Sequence, residues 1–378
     1  MRPKFEEGGK LHAFHSLFDA MDTFFYTPEQ TTVSGCHIRD AVDNKRTMFT
    51  VIIALIPALL FGMYNIGYQH YLSLGQVSCY CDNFWGNLGY GFLKILPMLL
   101  VSYIVGLGIE CIFAQIRNHE VSEGYFVTGM LIPLICPPDV PLWQLAIAVA
   151  FAVIIGKEVF GGTGYNFLNP ALVARAFLFF SYPSQMSGDT VWIAEQGDAI
   201  SGATPLGEML AGGVTPHASV LDMFLGFIPG SVGETSVIAI LIGAVILLVT
   251  GIASWRIMLS IFAGGAAMGL VFNMIGANPY MEMPFYYHFL IGGFMFGAVF
   301  MATDPVTAAQ TNTGKYIYGA LIGIMAVLIR VLNPAYPEGM MLSILLLNVF
   351  APLIDYYVVD ANIRRRAKRA KLLVKNNQ

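Results

Sequence analysis

The sequence has 378 residues, of which 56% are hydrophobic and only 12% are charged, and its net charge is −4. Soluble domains are about 25% charged, so this chain has too few charges to solvate two or three soluble domains. The small acidic excess also argues against nucleic-acid binding. A mean hydropathy of +0.64, together with long apolar runs, indicates an all-α integral membrane protein.

We predict about ten transmembrane helices within a membrane domain at 48–357, after a cytoplasmic N-terminal segment (1–47) and before a basic cytoplasmic tail (358–378). A membrane span needs about 20 apolar residues. The third and fifth predicted spans are shorter and contain or adjoin prolines, which is typical of broken or re-entrant helices. In chain order the predicted spans are 48–67, 90–114, 124–137, 141–159, 167–182, 236–254, 256–276, 285–303, 316–332 and 339–357.

The distribution of Lys and Arg orients these spans, because cytoplasmic loops carry an excess of both residues. Both terminal segments carry several Lys and Arg residues, and the even number of spans agrees with two cytoplasmic termini. The long segment 183–235 contains six acidic residues and no Lys or Arg, so we expect it on the outer face. Lys94, Arg175 and Arg330 fall inside spans or near their outer ends, where a charge is expected to be paired or functional.

The order of the segments suggests an internal repeat. Asn169-Pro170 and Asp304-Pro305 each follow a glycine-rich segment. An odd number of spans reverses the orientation of whatever follows, so two five-span halves would be related by inversion. We therefore predict two inverted five-helix halves that contain broken helices.

One polar loop, residues 156–170, has the composition of a ligand site. Thr163 lies among glycines, which let the backbone approach a ligand closely. Asn169 can cap a helix that begins at Pro170, and the N–H groups of such a helix start favour an anion or a polar ring. A tight loop followed by a capped helix, without any ligand, explains the same pattern and stays open at this point.

A second polar segment, residues 198–206, carries an accessible hydroxyl. Small neighbours leave the side chain of Thr204 open, and Pro205 favours an extended backbone at Thr204. A modifying enzyme could reach such a hydroxyl. Strings of this composition also occur in ordinary turns, and the string alone does not decide between the two.

Three acidic residues lie within apolar spans or near their ends, where a charge is costly. Glu110 falls in mid-span, so it should be paired or lie on an ion path. Asp304 is either a cation site or the N-cap of a helix that begins at Pro305. Asp355 lies near the end of the last span, where lipid headgroups could also satisfy it. The five cysteines and seven histidines show no metal-ligand spacing, so no metal site is expected.

Five strings together resemble the B subunit of the Na+-translocating NADH:quinone oxidoreductases, a family related to the D subunit of the Rnf electron-transfer complexes. The first and last strings favour the quinone-reductase subunit. The strings are DTFFYTP (22–28), KEVFGGTGYNFLNP (157–170), SGAT (201–204), MATDPV (301–306) and IRVLNPAYPEGM (329–340).

The resemblance implies two flavins. In this family a flavin transferase, working outside the cytoplasmic membrane, joins FMN through its phosphate to the threonine hydroxyl of the SGAT string. In this chain the string consists of Ser201, Gly202, Ala203 and Thr204. The family also holds a non-covalent riboflavin, and the loop associated with it contains Gly161, Gly162, Thr163, Asn166 and Asn169.

The resemblance further implies a translocase subunit within a six-subunit complex of the bacterial inner membrane. Such a complex passes electrons from NADH to ubiquinone or menaquinone and exports Na+. Acidic residues implied in sodium uptake match Glu110, Asp304 and Asp355. Quinone reduction is expected near the second span, where this chain has Gly106-Leu107 in place of the family's common Gly-Gly.

No residue of this chain is assigned a catalytic role by the sequence. The chain lacks a GxGxxG fingerprint in a βαβ unit, so NADH is expected to bind a partner subunit.

Two other functions stay open. One is the Rnf D subunit, which would share the flavin-linked threonine. The other belongs to a different class, a channel or secondary transporter without redox chemistry, which the ten spans and broken helices would also suit. Flavin separates these classes, because a pure transporter should contain none. A purely structural membrane anchor is disfavoured by the polar glycine loops and by Glu110.

Overall fold

The helices are described by a computed structural model that covers residues 18, 32–38, 43–77, 79–117, 124–195, 202–210, 216, 218–333 and 336–376. Within these ranges the chain is helical and contains no strand, which confirms the all-α prediction. The predicted site residue Ser201 lies outside the described residues, as do the string at 22–28 and most of the N-terminal segment.

Where the structure describes it, the first half of the chain forms five α-helices. They are α1 (Asn44–Ser73), α2 (Phe84–Arg117), α3 (Gly124–Ile135), α4 (Leu142–Gly156) and α5 (Pro170–Ser181). Helices α3 and α5 have 12 residues each. At 1.5 Å per residue they are about 18 Å long, well short of the bilayer's hydrocarbon core of about 30 Å. The predicted short third and fifth spans are thus confirmed.

The described part of the segment between the two halves contains three short helices, and the second half then follows. The short helices are α6 (Pro183–Met186), α7 (Pro205–Leu210) and α8 (Val220–Leu225). The second half consists of α9 (Val237–Val249), α10 (Trp255–Ile275), α11 (Pro279–Glu282), α12 (Tyr287–Leu290), α13 (Phe294–Phe296), a π-helical turn (Gly297–Met301), α14 (Asn312–Leu332) and α15 (Met340–Asn376).

Among the described helices, six are long and apolar enough to cross a membrane: α1, α2, α4 with the 3₁₀ turn after it, α10, α14 and α15. Helices α3, α5 and α9 are shorter but also apolar. The chain is therefore a multi-pass membrane protein.

The predicted eighth span differs from expectation. The sequence predicts a simple span at 285–303, but the structure breaks it into α12, α13 and the π-helical turn. The break falls at Gly292, whose φ of +67° is a conformation that favours glycine. At Gly293 an added Cβ would lie 2.6 Å from the Glu234 carboxylate, so the packing of this side chain also requires a small residue at position 293.

Most helix pairs of the first half recur in the second half; the exception is α1 with α2, which pack extensively, whereas α9 and α10 make little contact. In the first half, α2 packs on α3 and α4, α4 packs on α5, and α3 packs on α1 and α5. In the second half the same pairs recur when α9, α10, the π-helical turn, α14 and α15 replace α1 to α5. Helix α1 also packs on its counterpart α9, and α5 on α15. This correspondence supports the predicted repeat of two five-helix halves.

Glycines allow α10 and α14 to cross in direct backbone contact. A Cβ added at Gly264 would lie 2.2 Å from the carbonyl oxygen of Ala320, and one added at Gly323 would lie 2.1 Å from that of Ile261. Such distances are shorter than any tolerated contact. The small residues therefore serve helix packing at this crossing.

The segment 183–235, which we expect on the outer face and call the outer segment, is attached to the helices by polar contacts. The Nζ atom of Lys94 lies 3.2 Å from Asp139 and 2.9 Å from Glu195, and the backbone N–H of Glu195 donates to Asp139. The ammonium of Lys94 holds the pKa of the Glu195 carboxyl below its usual range. His70 hydrogen-bonds the carbonyl oxygen of Ala194 at 2.8 Å. These contacts place residues 189–195 beside the helix ends.

We predict that Gly323→Ala weakens the fold while Gly108→Ala does not. The added methyl at position 323 meets backbone, so helices α10 and α14 must separate, at a cost of about 1–3 kcal/mol. Around Gly108 nothing lies within 4 Å of an added Cβ, and alanine is the better helix former. Thermal unfolding in detergent measures both variants. Equal unfolding temperatures would contradict the packing role of Gly323.

Candidate functional site

The cavities among the described residues include two that we name the inner and the outer cavity after the predicted topology. The inner cavity has a volume of about 80 Å³ and is lined by the start of α1, by α3, by the loop between α4 and α5, and by the ends of α9 and the π-helical turn. The outer cavity has a volume of about 280 Å³ and is lined by α5, by the segment before α9, by Gly292, and by the loop between α14 and α15.

The linings of the two cavities correspond under exchange of the two halves. The start of α1 corresponds to the segment before α9, and the loop between α4 and α5 corresponds to the loop between α14 and α15. The α3 segment corresponds to the broken third segment of the second half, which begins near Gly292. The correspondence is limited to these segments, because each cavity also draws lining residues from the other half. The predicted topology would open the two cavities toward opposite sides of the membrane.

The loop between α4 and α5 brings most of the predicted riboflavin residues to the inner cavity. Thr163, Asn166 and Asn169 all line it. Gly161 and Gly162 lie in the same loop with φ values of +120° and +93°, which explains why the loop needs glycine there. The two glycines therefore shape the loop, and neither is among the residues that line the cavity.

The polar atoms of this loop are only partly satisfied by the protein. The amide of Asn166 is used within the loop, accepting from Gly164 and donating to the carbonyl oxygen of Leu168. The Oδ1 atom of Asn169 caps α5 by accepting from Ala171 at 3.0 Å, as the sequence predicts. The buried hydroxyl of Thr163 has no hydrogen-bond partner among the described residues. A buried hydroxyl without a partner is costly, so it fits a polar ligand in the inner cavity.

A buried ion pair lies beside this loop. Lys157, at the end of α4, lines the inner cavity and pairs with Glu110 of α2 through a short contact. Both side chains are less than 5% exposed. The next residue, Glu158, pairs with Arg117 at 3.3 Å at the margin of the same region. Glu110 is therefore a paired charge, which is one of the two expectations drawn from its mid-span position.

The other two predicted ion-path residues are separated in the structure. Asp304 lines the inner cavity together with Thr303. Its carboxylate accepts from the N–H of Val306 and from the hydroxyl of Thr307 at 3.0 Å. Asp355 does not line either cavity; its carboxylate accepts from the N–H groups of Gln310 and Thr311 and so fixes the segment that leads into α14. Of the two, only Asp304 is placed beside a cavity.

Gly106 and Leu107, the predicted quinone position, line neither cavity. A Cβ added at Gly106 would lie 1.8 Å from the ring of Tyr125, so this glycine admits the tyrosine at the crossing of α2 and α3. Leu107 packs against the core. The quinone assignment stays a prediction.

Thr204 lies on the outer cavity. It is half-buried, and it directly precedes α7. Its Oγ1 atom accepts a hydrogen bond from the N–H of Gly207 at 3.1 Å, which caps the helix. The hydroxyl proton is not used by this bond. Of the other residues of the string, Gly202 is buried and Ala203 is half-buried.

The outer cavity also contains a buried charge cluster. Arg175 of α5 donates to Glu234 at 2.8 Å and pairs with Glu338 through a short contact. Arg330 of α14 is 1% exposed and donates to the carbonyl oxygens of His288 and Glu338 at 2.8 and 3.3 Å. The expectation that Lys94, Arg175 and Arg330 would be partnered is thus confirmed. Thr235, also on the outer cavity, has a buried hydroxyl without a partner among the described residues.

Sequence reasoning did not single out Glu234, Glu338 or Lys157 as site residues. Glu234 is one of six acids in the outer segment, and Glu338 lies inside a string quoted only for resemblance. The buried Lys and Arg residues indicated that such partners exist, because a cationic side chain within the membrane requires a carboxylate or carbonyl partner. The partner itself could not be chosen without the fold.

The apolar helices define a multi-pass membrane protein, and its two cavities each carry a few polar groups in a largely apolar lining. Comparison with known sequences then gives the family. The profile of the NQR2, RnfD, RnfE family matches residues 31–364, and the chain belongs to this family.

Curated relatives match over almost the whole chain. The B subunit of the Na(+)-translocating NADH-quinone reductase from Ectopseudomonas mendocina is 51% identical, covering 97% of this chain and 96% of that protein. The subunit of the same name from Chromohalobacter salexigens is 51% identical over 98% and 95% of the two chains, and that from Stutzerimonas stutzeri is 50% identical over 97% and 96%. The resemblance drawn from the five strings is confirmed.

We predict that Arg175→Met strongly destabilises the protein while Lys94→Met does not. Removing Arg175 leaves Glu234 and Glu338 buried without their cation, which costs about 3–5 kcal/mol. The Lys94 pairs are partly exposed, and pairs of that kind contribute less than about 1 kcal/mol. Unfolding of the purified chain in detergent measures both. If Lys94→Met lowered the stability as much as Arg175→Met, burial would not determine how much an ion pair contributes to stability.

Proposed function

We propose that this chain is the membrane-embedded B subunit of a Na+-translocating NADH:quinone oxidoreductase in the bacterial inner membrane, with both termini cytoplasmic. It would carry a covalent FMN and a riboflavin, pass electrons toward ubiquinone or menaquinone, and couple this transfer to Na+ export. NADH would be oxidised on another of the six subunits. Identity of about 50% to subunits of that name over nearly the whole chain supports the assignment.

One observation carries the flavin assignment: the hydroxyl of Thr204 faces the larger cavity, beside Arg175 and the unpartnered hydroxyl of Thr235. A flavin transferase would form the ester bond between Thr204 Oγ1 and the phosphorus of FMN. The hydroxyl proton is lost, and the leaving group departs from the flavin donor's phosphate. Small neighbours at Gly202 and Ala203 keep the hydroxyl accessible to the transferase.

The charges that line the inner cavity suit riboflavin, which lacks a phosphate. The ammonium group of Lys157 on this lining is paired with Glu110, and Asp304 adds a carboxylate. A phosphate would find no available cation among the described residues of this lining. Asn169 and Thr163 offer neutral hydrogen-bonding groups, which match the polar edge of an uncharged flavin.

A bound flavin supplies chemistry that the chain's own side chains lack, because it accepts electrons in pairs or singly and passes them on. The chain's residues bind and orient it. Asp304 places a carboxylate on the inner cavity, where a cation entering with the electron would be attracted. Charge compensation of this kind supports coupling between electron arrival and Na+ uptake. Glu110 and Asp355 lie away from the cavities and support it less directly.

We predict that Thr204→Val abolishes covalent flavin. Valine has nearly the shape of threonine but no hydroxyl, so the ester cannot form. The chain is expressed together with its flavin transferase and run on a denaturing gel, where the wild-type band should fluoresce and the variant band should be dark.

Thr235→Val is the matched control, because it removes a hydroxyl from the same cavity without touching the attachment string; its band should stay fluorescent. A dark wild-type band, with a transferase that modifies a control substrate, would reject the Thr204 assignment. It would then favour a transporter without redox chemistry.

We predict that Thr163→Val weakens the binding of non-covalent flavin about three- to tenfold, the worth of one hydrogen bond. The stability of the flavin-free chain should not fall, because the hydroxyl has no protein partner to lose among the described residues. Equilibrium dialysis with riboflavin measures the first effect and thermal unfolding the second. Unchanged riboflavin affinity would show that the hydroxyl does not contact the ligand.

A further inference from the structure

The positive charge on the inner cavity comes from a lysine whose counter-ion does not line the cavity. Lys157 lines the cavity, whereas Glu110 does not. The contact between them is short, and the side chains are 4% and 3% exposed. The Nζ atom of Lys157 also lies 6.0 Å from the centre of the Tyr125 ring, whose hydroxyl donates to the carbonyl oxygen of Ser102. The lysine is thus held against α2 and α3.

This arrangement differs from that of the neighbouring pair. Arg117 and Glu158 join the same two regions of the chain, but the side chain of Arg117 is 34% exposed, and neither residue lines the cavity. The side chain of Glu158 is only 4% exposed, but water screens the Arg117 guanidinium, so the field of this arginine at the cavity is weak. Lys157 and Glu110 are both buried, where the interaction of charges over several ångströms remains strong.

We propose that Lys157 and Glu110 together set the redox potential of the flavin bound in the inner cavity, with Lys157 stabilising the added negative charge and Glu110 limiting that effect. This inference rests on the proposed function, because it requires a flavin in that cavity. Glu110 is then a positioning residue that acts through Lys157. Its place in the sequence suggested an ion path, but its counter-ion role explains both its burial and its separation from the cavity.

The charges fix the sign of each effect. Without Lys157 the electron enters a cavity that has lost its cation, so the reduced flavin binds more weakly relative to the oxidised flavin. Without the carboxylate of Glu110 the full charge of Lys157 acts on the cavity, so the reduced flavin binds more tightly. Removing both restores electrical neutrality. A purely structural pair would instead give three variants that all lose flavin.

The experiment uses the purified full-length chain in a Thr204→Val background, so that the only flavin present is non-covalent. Spectroscopic redox titration gives the ratio of the dissociation constants of reduced and oxidised riboflavin. We expect Lys157→Met to raise this ratio about tenfold or more, Glu110→Gln to lower it about tenfold or more, and the double variant to lie within about threefold of the parent.

Arg117→Met is the control, because it removes a cation from the neighbouring, partly exposed pair. Its ratio should stay within about threefold of the parent. Shifts of the same sign in Lys157→Met and Glu110→Gln, or no shift in either, would overturn the proposal. A shift in Arg117→Met as large as in Lys157→Met would also overturn it, because any nearby charge would then suffice.

Repeating the titration at several Na+ concentrations distinguishes the counter-ion role from a Na+ ligand. As a counter-ion, Glu110 can be replaced by Gln without changing the Na+ dependence of the ratio. Loss of that dependence in Glu110→Gln, with its retention in Lys157→Met, would make Glu110 an ion ligand and overturn the proposal. Flavin extraction precedes all titrations. A parent chain without extractable flavin would reject the inner flavin site itself, and with it this inference.

Discussion

Charge inside an apolar helical bundle is the constraint on which this structure depends. Lys157 at the end of α4 is held by Glu110 of α2, and Arg175 of α5 is held by Glu234 and Glu338, which precede α9 and α15. Leaving one of these charges unpaired in a membrane costs several kcal/mol. The Arg175 cluster thereby holds α5, which is shorter than the bilayer's hydrocarbon core, and the Lys157 pair joins α4 to α2. Both cavities lie beside these buried charges.

Much of this architecture follows from the sequence, because apolar runs, prolines and lone charges have direct physical consequences. The short third and fifth spans, the cap at Asn169 and the need to partner Arg175 were all predictable. The partners were not, since Glu234 and Glu338 lie 59 and 163 residues from Arg175. The break at Gly292 was also missed, because a glycine pair inside an apolar run predicts close packing as readily as a break. Only its backbone angle distinguishes the two.

The two halves use one scaffold for two kinds of polar site. The inner cavity has neutral amides and hydroxyls around a paired lysine, whereas the outer cavity places a reachable hydroxyl beside an arginine held by two carboxylates. Gly106 illustrates the limit of interpreting one residue type as a ligand site. In sequence it matched a quinone position, but the structure gives it a sufficient role in admitting the ring of Tyr125.

The five-helix halves also constrain how the protein is made. With an odd number of spans in each half, the segment 183–235 that joins them would have to be exported whole before the second half inserts. Its lack of Lys and Arg removes the residues that most oppose such export, and its six acids contribute little to orientation. A lysine introduced into this connector would therefore threaten biogenesis before it affected any chemistry. Insertion, as well as ligand binding, would then restrict what can surround Thr204.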